Sequence, residues 1–335
     1  MGAKVALFFL LDTTKAAAPQ NYGMQLPVQK VAPLYDSLNA SSRFAKMSFP
    51  DSTVYGFSFF KKPHQVDMLV VLRDLSHSSR KIFQAQCQAQ LAKLLNVNIN
   101  EAFHYNDYVH QALWLPRGLQ KQDFLSHLCL ATGEAEADLD DVSRKYLGDT
   151  WVMNYRKGFI FAGKNEADFS RSLALYGLGL AYHRQMSLMT NRLAHSADLG
   201  GDASSSIQQE VGSFMAQCLF DNPVRPAHLD TFACYEHIVK GLGLPLVEQQ
   251  LRKKLNDLVQ LGTLKRGREQ LGGAGLGESL HTEERQSKEP KVEANTRQST
   301  SARRVVLGVV VGVLITVGLL SLSAEPLALV QQWLK

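Results

Sequence analysis

The sequence predicts an α+β domain, followed by an all-α helical region and a single C-terminal transmembrane helix. Three observations lead to this reading: short apolar runs rich in β-branched and aromatic residues up to residue 163, apolar residues recurring every three or four positions after it, and one uncharged stretch of twenty residues, Val305–Ala324. The expected divisions are an α+β domain over 1–163, a helical bundle or hairpin set over 164–264, a flexible charged linker over 265–304, a span over 305–324 and a far-side tail over 325–335. At 335 residues, 45% hydrophobic and 20% charged, the chain can bury one or two real cores.

In the first region, Lys4–Leu11 reads as a buried strand. Its seven apolar residues from Val5 stop at Asp12, too short a run for a secretory signal. Thr53–Phe60 and Val66–Arg73 read as two strands, and the polar link "KKPH" with Pro63 suits a hairpin turn between them. Helices are expected at Val28–Leu38, at Ser76–Leu95 with Ser76 and Ser78 as caps, and at Gln122–Leu130. "VMNYRKGFIFAG" predicts a hairpin turning at Arg156, Lys157 and Gly158.

In the second region, Asn165 is expected to cap a long helix with Glu166 and Asp168 in its first turn, where negative charge offsets exposed N–H dipoles. Leu175, Leu178, Tyr182, Met186, Met189 and Leu193 then mark one apolar face. A break at Asp198–Asp202 precedes a second helix carrying Ile207, Val211, Phe214 and Leu219. A third carries Phe232, Tyr235, Ile238 and Leu242, and Pro245 opens a fourth with Val247, Leu251, Leu255 and Leu258. The linker 265–304 holds nine Lys or Arg against six Asp or Glu, a composition that cannot bury enough surface to fold alone. As a coil, the roughly 32 residues from Gly272 to Arg303 would reach about 30 Å end to end.

Twenty residues rise about 30 Å as a helix, the thickness of a bilayer's hydrocarbon core. Arg303 and Arg304 sit immediately before the stretch, while only Glu325 and Lys335 follow it, so the positive-inside rule puts the N-terminal side in the cytoplasm. The expectation is a tail-anchored, single-pass protein, placed in the inner membrane if the source is bacterial. Gly308 and Gly312 form a GxxxG pair on which two spans could pack, so the bilayer and either a protein partner or a second copy are the expected partners.

The formal charge of +5, partly carried by the linker, leaves the rest nearly neutral, and no basic run marks a nucleic-acid interface. Cys87, Cys129, Cys218 and Cys234 are far apart and form no CxxC pair, which fits thiols used as core residues. The nearest approach to a metal set, Cys234, Glu236 and His237 with His228 upstream, lacks ligand spacing, so neither metal nor cofactor is expected. "HYNDYVHQALW" is the densest group of reactive types. On one helical face His104, Asp107 and His110 could form an acid–base set, and they are the candidate catalytic residues. "SSRK" matches Ser-x-x-Lys without its companion motifs. "LGGAGLGE" lacks the strand and Lys-Ser/Thr of a phosphate loop, and "EAEADLDD" lacks the glycine of a calcium loop.

The sequence therefore favours a membrane-localised interaction or effector module. Two alternatives are a membrane-tethered enzyme of unknown substrate and an ion-transport protein. The second shares, by layout alone, the α/β-then-helices order of CorA-type divalent-cation channels, but the Gly-Met-Asn signature of that group is absent.

Overall fold

The computed structural model describes residues 3–11, 23–74, 80–95, 110–116, 144–147, 149–155, 158–196 and 201–279. Nine strands form one mixed sheet: β1 (Lys4–Leu10), β2 (Met24–Leu26), β3 (Arg43–Phe49), β4 (Ser52–Phe59), β5 (Val66–Asp74), β6 (His110–Pro116), β7 (Arg144–Leu147), β8 (Thr150–Tyr155) and β9 (Gly158–Gly163). The spatial order is β2-β3-β4-β5-β1-β6-β9-β8-β7. Every neighbouring pair is antiparallel except β6 and β9, which run parallel. The helices are α1 (Val28–Val31), α2 (Asp36–Ser41), α3 (Arg80–Leu95), α4 (Glu166–Ser196), α5 (Gly201–Gln217), α6 (Leu229–Gly241) and α7 (Leu244–Ser279).

The central strands are apolar on both sides because the sheet is covered on both faces. Along β1, Ala6 and Phe8 join a core with α4 to α7, while Val5, Leu7 and Phe9 join a second core with Cys87 and Leu91 of α3. A strand buried twice has no need of polar alternation, hence the continuous "VALFFL" and "MLVVL". The mixed sheet followed by helices agrees with the sequence. The strands before residue 163 and the helices after it share one core, and the chain divides compactly as 1–270 and 271–335.

At the centre lies α4, 31 residues long, with Leu175, Leu178, Tyr182, Met186, Met189 and Leu193 all buried. It seats closely on the sheet at Gly177, where a Cβ would fall 2.9 Å from Met68 Sδ and 3.1 Å from Phe57 Cδ2. Lys4 Nζ donates to Glu166 Oε2 at 2.8 Å and so ties the start of β1 to the start of α4. The β4–β5 turn docks under the same helix. Phe60, at φ 64, drives its ring between Tyr182 and Phe214, with centroids at 5.1 and 5.5 Å. Gln185 Nε2 donates to the His64 carbonyl at 2.9 Å.

Three sequence expectations need correction. The helix foreseen over Val28–Leu38 is two short helices, because Pro33 forces Ala32 into extended backbone at φ −145, ψ 130. The freed segment pairs instead with the α5–α6 connection: Tyr35 N donates to Pro223 O at 3.0 Å, and Arg225 N to Pro33 O at 2.9 Å. "HYNDYVHQALW" ends in a strand: His110 opens β6 and so does not sit on a helical face, while 104–109 lie outside the described residues. Finally, α7 continues to Ser279, past the start of the expected linker at 265. Helix formers Lys265, Arg266, Arg268, Glu269, Gln270 and Leu271 carry it there despite the glycines.

The helices at Gln122–Leu130, the caps Ser76 and Ser78, His104, Asp107 and everything from 280 onward lie outside the described residues. That includes Arg303, Arg304, Gly308, Gly312 and the Val305–Ala324 stretch. No described helix is long and apolar enough to cross a membrane.

Candidate functional site

One groove of about 630 Å³ opens where three pieces of chain converge: the β7–β8 turn, the passage from β9 into α4, and the start of α6. Its floor is apolar, built from Leu147, Phe161 and Leu175, all buried in the core. Its rim is charged. Lys164 Nζ reaches Asp149 Oδ2 at 3.1 Å, and Arg171 reaches Asp168 Oδ1 at 2.8 Å, the second pair one turn apart on α4. The Lys164–Asp149 pair is largely open to solvent and the Arg171–Asp168 pair partly so, and an ion pair in contact with solvent contributes little to stability.

The first turns of two helices border this groove. Asn165 stands at the start of α4: its carbonyl accepts from Phe169 N at 3.4 Å, and its amide Nδ2 reaches Asp168 Oδ2 at 3.4 Å. His228, at φ −109 and ψ 68, precedes α6 with no side-chain cap, and Asp230 lies in that helix's first turn. Leu229 stands 74% exposed at the rim and adds an apolar contact point beside the charges.

Deeper in, Ser172 Oγ donates to Asp168 O at 3.0 Å and lies 3.8 Å from Cys234 Sγ. Burial pushes the Cys234 thiol up to about 12, opposed by its bond to Ser172, so it stays protonated and non-nucleophilic near neutrality. Among the described residues neither side chain is hydrogen-bonded to an imidazole or a carboxylate, and a hydroxyl or thiol without a base is not an activated nucleophile. The groove thus combines an apolar floor, charges of both signs and an exposed leucine.

Of the residues singled out in the sequence, His228 and Cys234 line this groove and His110 lies on β6, while His104 and Asp107 lie outside the described residues. His110, half-buried, shares a 2.9 Å hydrogen bond from Nδ1 with Tyr176 Oη. Tyr176 in turn packs against Phe8 and Phe159 at 5.1 and 4.8 Å. Burial holds the Tyr176 hydroxyl well above its ordinary pKa, with the neighbouring Tyr155 adding to the effect. The pair thus has the character of a satisfied polar contact between sheet and helix. Cys234, Glu236, His237 and His228 do not assemble: among the described residues, no three His, Cys, Asp or Glu side chains gather as a metal set. Sequence reasoning missed the groove, because its residues come from three separate stretches and each reads alone as a cap or a surface ion pair.

The chain thus has the form of a mixed sheet covered on both faces, with a charged groove at one junction of sheet and helices. No protein-family model matches it, and neither a curated protein nor a solved structure matches it.

Proposed function

We propose that this protein is a membrane-localised interaction module, held by a C-terminal single span, with its sheet-and-helix body on the cytoplasmic side. The observation that carries the reading is the run of twenty uncharged residues, Val305–Ala324, directly behind Arg303 and Arg304. The groove at the starts of α4 and α6 supports the interaction half, since its charged and apolar features favour binding and its Ser and Cys lack a base. Self-association through Gly308 and Gly312 belongs to the same proposal.

The test is alkaline carbonate extraction of cell membranes containing either the full chain or the chain ending at Thr300. The full chain stays in the pellet and the shortened one moves to the supernatant. Recovery of the full chain in the supernatant sinks the anchor. Mass measurement in detergent addresses the copies: an oligomer that Gly308→Leu with Gly312→Leu reduces to a monomer supports the spans as the contact, and a wild-type monomer removes it.

A further inference from the structure

The helix α7 is held by one stripe and leaves another open. Leu244, Val247, Leu251, Leu255 and Leu258 pack into the core shared with the sheet. Leu246, Leu261 and Leu264 do not: they are 66%, 50% and 66% exposed. At about 100° per residue, these three fall with Lys253, Lys254 and Asp257 inside an arc of about 100°. The arc runs from 246 to 264, about 27 Å along the axis. Three open leucines on one line are an amphipathic face without a cover among the described residues.

The charge around it selects the occupant. Residues 246–268 hold six Lys or Arg and two acids, Glu248 and Asp257, and Arg252 is paired with Glu248 at 2.6 Å. Lys253 and Lys254 lie exposed among the leucines. Apolar side chains flanked by lysines match an anionic bilayer surface, where leucines enter the headgroup boundary and ammonium groups meet lipid phosphates. The proposed span begins only 25 residues beyond Ser279, across 280–304.

We propose that the Leu246–Leu264 face of α7 docks on the surface of a membrane rich in anionic lipid, laying the cytoplasmic body against the bilayer. The inference rests on the membrane reading above and adds a second, lipid-selective contact to it.

The experiment uses the full chain with Gln250→Cys, a substitution on the same arc, carrying an environment-sensitive fluorophore. The chain without that substitution gives the background. It is reconstituted with vesicles of phosphatidylcholine, with and without phosphatidylserine. A blue shift and shielding from iodide appear only with phosphatidylserine, and Leu261→Ser with Leu264→Ser abolishes both. Lys253→Gln with Lys254→Gln weakens the lipid dependence roughly 25-fold, since each lysine near an anionic surface contributes about fivefold.

Equal emission on both vesicles overturns the proposal. So does a shift without vesicles that grows with protein concentration, which assigns the face to a second copy, or one produced by RNA alone. Carbonate extraction of the same sample separates the two readings: resistance with an unshifted label removes the face and keeps the anchor, whereas extraction with a shifted label does the reverse.

Discussion

Single residues carry much of the fold's specificity here, and Gly177 is the clearest case. With Met68 Sδ and Phe57 Cδ2 at 2.9 and 3.1 Å from where a Cβ would stand, Gly177→Val forces α4 off the sheet. A loss of about 1–3 kcal/mol is expected, read as a lower urea midpoint with unchanged slope. His64 makes a prediction of a different kind. Its Nδ1 is buried without a hydrogen-bond partner among the described residues, and its ring lies 5.2 Å from Phe214. Burial lowers its pKa, Glu210 opposes that effect, and Arg192 adds to it. The unfolded chain therefore takes up this proton more readily, so stability is fully present above about pH 6.5 and falls as the pH drops through the lowered folded value. Melting curves at pH 7 and pH 5 should show a smaller acid loss in His64→Gln than in wild type; an identical loss would rule His64 out as a contributor.

At the scale of elements, the sequence was legible where pattern and burial coincide. β1, β4, β5 and the β8–β9 hairpin follow from continuous apolar runs, and the buried stripe of α4 follows from its spacing. β3 was hidden because "RFAKMSF" mixes Arg43 and Lys46 into a strand that faces solvent in part. β6 was hidden because His110 and Gln111 looked like the tail of a polar segment, although Gln111 is buried beside β1 and β9. The groove was illegible for a further reason: its charges pair across turns that no local pattern reports. The extended segment after Pro33 offers a test at this scale. Arg225 Nε donates to Leu34 O at 3.0 Å, and its guanidinium also meets Asp36. Arg225→Ala should speed amide exchange at Tyr35 while exchange in β4 and β5 stays slow; unchanged exchange at Tyr35 would mean that the Leu34–Val224 bridge suffices alone.

For the whole molecule, every described residue of both cores lies within residues 1–270. A chain ending after Gln270 is expected to melt within about 3 °C of the full protein, the equivalent of about 1 kcal/mol. A larger drop, measured by calorimetry, would assign a folding role to the residues beyond.

The sheet order also sets a timetable. β1, the earliest made of the described strands, lies in the middle of the sheet, with β5 on one side and β6 on the other. Lys4 meets Trp114 across the ladder and Glu166 at the head of α4, 162 residues away. During synthesis the apolar segment Val5–Leu10 is therefore exposed long before either neighbour exists, and each of its closures spans a long loop. The strand on which the rest is built is the one that waits longest for shelter, so the growing chain passes through a stage in which these six apolar residues must be kept from other chains.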